Sequence, residues 1–242
     1  MKRLIFILSL FICSQNFASE QVFEKGNIQY ANENYTVAIS LYDSILTSGS
    51  ESSELYYNLG NCYYKTNDWA NAIWHYEKSL QLDNNEKTIH NLEFAKLKII
   101  DRIEPLPQLF YKKWWINLTQ TLSTQFWQIL AFLCIGLIFI LQLISQFTSL
   151  KNKPITKVFS AVTIIILLII QTSYYNNFTK KEAIIFSETI TVNSAPTSRS
   201  TNLFTLHAGC KVEIIDVIGD WINIQIANGN SGWITQNSIK GL

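Results

Sequence analysis

The chain has 242 residues, 48% of them hydrophobic and only 15% charged, with 19 basic against 18 acidic side chains for a formal net charge of +1. An ordinary soluble domain carries about 25% charged residues, so part of this chain avoids charge, and its near-neutral balance excludes the basic field that nucleic acid requires. Four cysteines at 13, 62, 134 and 210 and three histidines at 75, 90 and 207 share no short spacing. That speaks against a zinc site and a dense disulfide framework, and neither a metal nor a cofactor is expected.

Met1-Lys2-Arg3 precedes a nine-residue apolar run, Leu4 to Ile12, and then the more polar Cys13-Ser14-Gln15-Asn16-Phe17-Ala18. A basic start, a short apolar core and small residues near a cleavage point after Ala18 predict an export signal over 1–18. Nine apolar residues cannot cross roughly 30 Å of hydrocarbon as a permanent helix. Cys13 follows Ile12, where lipid attachment would need a small residue, and reads as incidental.

The next stretch repeats itself. Gly26/Gly60, Asn27/Asn61, Tyr30/Tyr64, Tyr35/Trp69, Ala38/Ala72, Ile39/Ile73, Tyr42/Tyr76 and Leu46/Leu80 are each separated by 34 residues. That is the period of a stacked pair of antiparallel helices. Gly60 and Ala72 are small where the two helices touch. Tyr63, Trp69 and Tyr76 fill the space between them, and Leu59, Ile73 and Leu80 supply an apolar stripe at helical spacing. Glu33-Asn34 and Asn67-Asp68 mark the interhelical turns. The copies occupy 19–52 and 53–86, the first departing at Lys25, where Leu is usual. A third copy starts after Asp83-Asn84-Asn85 with Ile89 and Asn91-Leu92, then departs with Glu93 in the Gly slot and no second helix. It reads as a helix capping the block, which ends at 103. So short a stack calls for a partner or the membrane to complete it. Residues 19–103 hold 12 acidic and 7 basic side chains, net −5, a solvated acidic surface.

Leu59-Gly60, Tyr63, Ala72 and Tyr76 stand at signature positions of the tetratricopeptide repeat, which the block closely resembles. In that family the first helix of each repeat lines a concave groove for an extended peptide. The resemblance implies that Asn27, Tyr30 and Ala31 of the first copy and Asn61, Tyr64 and Lys65 of the second face it. An amide offers both donor and acceptor to a peptide backbone, and tyrosine is enriched at binding hot spots. Phe23 stands where carboxylate-clamping relatives carry Lys, which argues against recognition of a C-terminal carboxylate.

Glu104-Pro105-Leu106-Pro107 breaks helix continuity and opens a linker over 104–126, in which Phe110-Tyr111-Lys112-Lys113-Trp114-Trp115 has the basic and aromatic composition of headgroup depth. No charged residue occurs from Trp114 to Leu150 or from Val158 to Thr179. Two transmembrane helices are predicted, over 127–147 and 158–175. After an export signal the first runs inward and the second returns, leaving 148–157, with Lys151, Lys153 and Lys157, on the cytoplasmic side. Trp127 and Tyr174-Tyr175 then share the outer interface. Lys112-Lys113 and Lys180-Lys181 also flank the outer side, so the orientation rests on the export signal. Neither span contains an ionisable residue, which argues against transport by this chain alone.

From Ala183 the texture changes to short alternating runs. Val212-Glu213-Ile214 and Trp221-Ile222-Asn223-Ile224-Gln225-Ile226 have period two, and Asn228-Gly229 signals a hairpin. Residues 183–242 suit a small β-barrel. Thr191-Val192-Asn193-Ser194-Ala195-Pro196, Leu206-His207-Ala208-Gly209, Gly219-Asp220-Trp221-Ile222-Asn223-Ile224 and Gly232-Trp233-Ile234 resemble the bacterial SH3-like (SH3b) domain, with Asn193 replacing the Arg of its Val-Arg-x-x-Pro turn. Trp221 and Trp233 are candidates for a ligand groove; the alternative puts Trp221 in the core and Trp233 beside the last strand. Cys62 and Cys210 are expected as free, buried thiols.

The fold class is thus a multidomain membrane protein: an all-α repeat block, two transmembrane helices and an all-β SH3-like barrel. That order of parts resembles the BatE-type family of the bacterial aerotolerance operon over essentially the whole chain. The resemblance implies a place in an envelope complex beside von Willebrand A-type membrane proteins and an AAA+ ATPase, with both soluble modules on the extracytoplasmic side of the inner membrane. The leading function is a non-catalytic scaffold binding envelope proteins through its repeats. The alternative is a wall-binding or sensing protein contacting peptidoglycan through the β module. A cell-wall hydrolase would need a Cys–His pair in a domain of its own, and 104–180 leaves no room for one.

Overall fold

The computed structural model describes residues 19–107, 109–120, 124–147, 153–178 and 181–242. The expected export signal, Cys13 and residues 148–152 of the expected loop lie outside the described residues, as do the side chains of Tyr174 and Tyr175. The chain forms two compact units: the residues up to Pro105 together with Glu182–Leu242, and Leu106–Lys181 inserted between them in sequence.

Among the described residues, the first unit has five helices before its sheet: α1 (19–31), α2 (Tyr35–Thr47), α3 (Ser53–Lys65), α4 (Trp69–Leu82) and α5 (Glu86–Lys96). Local chemistry sets their ends. Ser52 Oγ accepts the Leu55 N–H at 3.1 Å and the Asp68 carboxylate accepts that of Asn71 at 3.1 Å, each satisfying an orphan donor of a first turn. Glu33 and Asn67, one repeat apart, both turn the chain through left-handed φ, at 61° and 62°. A Cβ on Gly60 would stand 2.5 Å from the Tyr76 ring, and one on Gly26 would strike Tyr42 in the same way. The glycines of the repeat are therefore required by helix contact. Leu59, Ile73 and Tyr76 are buried as the periodicity demands.

The same unit ends in a seven-stranded antiparallel sheet of spatial order β3-β2-β6-β5-β4-β1-β7. Its strands are β1 (Glu182–Ile185), β2 (Thr189–Asn193), β3 (Asn202–His207), β4 (Lys211–Ile218), β5 (Trp221–Gln225), β6 (Ser231–Thr235) and β7 (Ile239–Gly241). The expected Asn228-Gly229 turn joins β5 to β6, with Gly229 at φ 89°. Ala183, Ile185, Val192, Leu206, Val212, Ile222, Ile224 and Ile234 form one core, with Ile239 packed against it. Residues from both edges, β3 and β7, thus reach the same interior, and the sheet is curled upon itself.

Helices and sheet share a second core. On β1, Ala183 and Ile185 enter the sheet's interior, while Ile184 joins Ile73, Trp74, Tyr76, Leu92 and Ala95 of the helices, with Phe186 and Leu242 packed beside them. Ala183, Ile184 and Ile185 are each 0% exposed, so this strand is buried on both faces. Trp74 Nε1–H donates to the Gly241 carbonyl at 2.8 Å, and Lys240 Nζ lies 3.5 Å from the Trp74 ring centroid. Gly209, at φ 92°, has no room for a Cβ beside Ile99. Glu77 receives Lys96 at 2.9 Å and Lys211 at 2.8 Å, and Lys211 also meets Glu182 at 2.7 Å. Burial alone would raise the Glu77 carboxyl, but the two lysines hold it below the usual carboxylate range. Asp101 accepts the His207 backbone N–H and pairs with its Nδ1 at 2.9 Å. The short repeat block is therefore completed within its own chain by the β module, where the sequence pointed to a partner or the membrane.

The second unit holds α6 (Phe110–Gln120), α7 (Thr124–Phe147) and α8 (Lys153–Phe178). Trp127 and Ala131 of α7 pack on Ile166 and Ile169 of α8, with Trp115 and Leu118 of α6 against them. Phe132, Leu133 and Phe139 remain exposed. Within α7, Gln125–Ile144 is long and apolar enough to cross a membrane; the apolar part of α8, Lys157–Thr172, is shorter. Helix α6 falls within the segment expected as a linker.

His75, 3% exposed, hydrogen-bonds through Nδ1 to the Asn71 carbonyl at 2.8 Å and stacks on Tyr63, ring centroids 4.9 Å apart. Burial lowers its pKa to about 4. The folded value lies below the unfolded one, about 6.5, so only the unfolded chain gains a proton as pH falls through this window. Stability should therefore decline between about pH 6.5 and 4, by up to ~3 kcal/mol at about 1.4 kcal/mol per unit. Denaturant titrations of the full chain at pH 7 and 4.5 should show the loss, and His75→Gln should flatten it.

Candidate functional site

The groove is built on a hydrogen-bond motif used twice. Asn27 Oδ1 accepts from Tyr42 Oη–H at 2.7 Å and from Asn58 Nδ2–H at 3.1 Å. Asn61 Oδ1 accepts from Tyr76 Oη–H at 2.8 Å and from Asn91 Nδ2–H at 2.8 Å. In each case the second helix of a repeat and the first helix of the next element grip one asparagine. Asn58 and Asn91 do the same work 33 residues apart, so α5 follows the repeat one residue short, with Leu92 buried where Leu59 is. The amides expected to meet a ligand with both ends therefore spend their carbonyl ends on the fold. Burial raises the pKa of the Tyr76 phenol, keeping that donor protonated.

What Asn61 retains is Nδ2, which has no partner among the described residues. The same holds for Asn91 Oδ1, since Asn91 Nδ2 donates both to Asn61 and to Tyr57 Oη at 3.2 Å. The network fixes both amide orientations and leaves a donor on one amide and an acceptor on the other. Asn61 and Asn91 line a cavity of about 200 Å³ with Tyr30, Tyr64, Lys65, Tyr76 and Phe94. Four of the six residues expected to face the groove, Tyr30, Asn61, Tyr64 and Lys65, are thus brought together there, and Ala31 is not among the lining. Asn27 does not line the cavity; its Nδ2 approaches Glu24 at 3.4 Å. Tyr64 meets Trp69 edge to face, centroids 5.3 Å apart, and Tyr30 meets Tyr35 likewise at 5.4 Å. Aromatic walls, a fixed amide pair and an exposed lysine suit a peptide segment: its backbone on the amides, one apolar side chain in the cavity.

Asn91 and Phe94 were missed from sequence as groove residues because α5 was read as a cap. The signal was the Asn58-Leu59/Asn91-Leu92 match itself, which carries the groove face onto α5.

On the β module, Trp221 and Trp233 are half-buried. Ile222, Ile224 and Ile226 hold the inner face of β5, so period two places Trp221 on the outer face. Asn223 pairs directly with Trp233, which puts both tryptophans on that same face. Neither belongs to the core. Cys62 and Cys210 are free and buried, and burial pushes both thiols up to about 12, leaving them inert. No group of three metal-ligating side chains occurs among the described residues.

Comparison with known families matches residues 53–86 to the tetratricopeptide repeat. The chain is also similar to sperm-associated antigen 1 of Rattus norvegicus and of Mus musculus, 33% identical over 89 residues in each case, which covers 35% of this chain and 10% of theirs. It spans about a tenth of the length of these curated relatives. A tetratricopeptide repeat supports a role in protein–protein interaction, and the match indicates no catalytic family.

Asn61→Ala should leave the buried Tyr76 hydroxyl without its acceptor and destabilise the full chain by about 1–3 kcal/mol. Lys65→Ala, exposed at the cavity rim, should stay within about 0.5 kcal/mol. Chemical denaturation of the two variants beside the parent checks the contrast.

Proposed function

We propose that the chain is a non-catalytic, membrane-anchored scaffold of the bacterial envelope that holds an extended segment of a partner protein in the groove formed by α1, α3 and α5. The observation that carries this reading is the hydrogen-bonded amide pair Asn61 and Asn91 among the lining of the aromatic cavity, with Asn61 Nδ2 and Asn91 Oδ1 unpaired among the described residues. The unpaired donor of one amide and the unpaired acceptor of the other suit the C=O and N–H of a peptide backbone, and a cavity of about 200 Å³ accommodates one apolar side chain. Lys65 favours an acidic residue next to that anchor.

Membrane anchoring is supported by the exposed apolar surface of α7, which has the length and composition of a span. The inserted unit also starts from and returns to a single compact body. A chain that enters the bilayer between two halves of one body must leave on the same side, which favours two crossings, by α7 and α8, over one. The 26 residues of α8 provide about 39 Å of helix at 1.5 Å per residue. With an export signal at 1–18, repeats and β module both stand on the extracytoplasmic side. The resemblance of the β module to SH3-like domains and of the whole order to the BatE-type family supports the reading of a scaffold in an aerotolerance complex, with von Willebrand A-type membrane proteins as partners.

Cross-linking spheroplasts with a membrane-impermeant reagent, then solubilising and recovering the tagged chain, tests both parts. The parent should bring down a von Willebrand A-type protein, and Tyr64→Ala with Lys65→Glu should reduce recovery by about ten-fold or more, the scale of a lost hot spot. Recovery only after lysis would contradict the orientation; undiminished recovery by the variant would contradict the groove.

A further inference from the structure

We propose that the outer face of the β module is a second binding site, which takes a cationic side chain, the guanidinium of Arg or the ammonium of Lys, from a protein partner. Strand register assembles the site in one row. Asp216 of β4 pairs with Asn223 of β5, Asn223 with Trp233 of β6, and Trp233 with Asn193 of β2. Directly paired residues share a face, and Trp221 stands on that face two residues before Asn223.

Two features of the row have no structural return. Asn193 is 8% exposed, and the Oδ1 atoms of both Asn193 and Asn223 are buried without a hydrogen-bond partner among the described residues. An unpaired buried acceptor costs stability that an apolar residue of the same size would not, and each such group in a folded protein calls for an explanation. Here two flank a single indole in register. Apart from its backbone pairing in the sheet, Trp233 is without a side-chain hydrogen bond, ring contact or cation contact to a described residue. It stands half-buried between the two amides, and a turn of its indole is what the proposal requires to admit donors to them.

Charge selects the donor. Residues 212–239 contain Glu213, Asp216 and Asp220 and no lysine or arginine, and Asp216 and Asp220 are exposed. Ammonium and guanidinium groups bring several N–H donors and no acceptor, their charge is attracted to the face of an indole, and the neighbouring carboxylates complement it. A neutral sugar would supply donors but gain nothing from the carboxylates. The site is separate from the repeat groove and does not depend on it.

The test is calorimetric titration of the full chain, in detergent micelles, with acetylated and amidated tetra-arginine, and with tetraglutamate and chitotriose as comparisons. Tetra-arginine should bind with an affinity that falls as salt rises, and Asp216→Asn should weaken it several-fold. Asn223→Leu, alone or with Asn193→Leu, should weaken it about ten-fold, the loss of one charge-assisted contact, while leaving Tm unchanged or higher. Tyr64→Ala with Lys65→Glu should leave it untouched, so the two sites fail separately. Tetra-arginine binding that survives Asn223→Leu, a marked fall in Tm in that variant, or binding of chitotriose in place of tetra-arginine would each overturn the proposal.

Discussion

A single strand, β1, is buried on both of its faces, and the first unit depends on it. Ala183 and Ile185 close the interior of the curled sheet while Ile184, between them, enters the helical core beside Ile73, Trp74 and Leu92. Strand alternation makes this possible, since three consecutive residues serve two cores. Fully burying a side chain such as isoleucine contributes about 1.5–3 kcal/mol, a substantial share of a typical domain's stability. Two repeats and an extra helix could not bury the outer face of α4 alone. The strand that follows the inserted unit does it for them, and Trp74, Glu77 and Lys211 fasten the contact with directed bonds.

Helix α4 consequently works in two directions. Tyr76 holds Asn61 and lines the groove, whereas Ile73 and Trp74 pack against the sheet side. Glu77 ties α5 to β4 through Lys96 and Lys211. Asn91 and Phe94, the groove's outer wall, are carried on that same α5. The geometry of the groove is thus set partly by residues more than a hundred positions away in sequence, and the β module acts as a structural part of the repeat stack besides offering a surface of its own.

The repeat was legible because its constraints are local. Glycines at 26 and 60, tyrosines at 42 and 76 and the turns at 33 and 67 recur with one period, and each serves a contact between adjacent helices. The hairpin at Asn228-Gly229 and the alternation of β5 were legible for the same reason. The junction was not, because Ile184, Gly209 and Lys211 look like ordinary strand and turn residues until the distant helix is placed against them. Groove residues were legible by type but not by task. Tyr30, Tyr64 and Lys65 line the cavity, yet the carbonyl ends of Asn27 and Asn61 belong to the scaffold, a distinction that only the hydrogen bonds from Tyr42, Tyr76, Asn58 and Asn91 reveal. Of the two placements open to Trp221, the core is closed to it because Ile222, Ile224 and Ile226 fill the inner face of β5.

The central claim is that repeats and β module fold as one body through β1. Native-state hydrogen exchange on the full chain, comparing the parent with Ile184→Ala, tests it most directly. The account expects the amides of α3 and α4 and those of β4 and β5 to open with a common free energy, and the substitution to lower protection in both groups together. Loss of protection confined to the sheet, with α3 and α4 exchanging as in the parent, would contradict it.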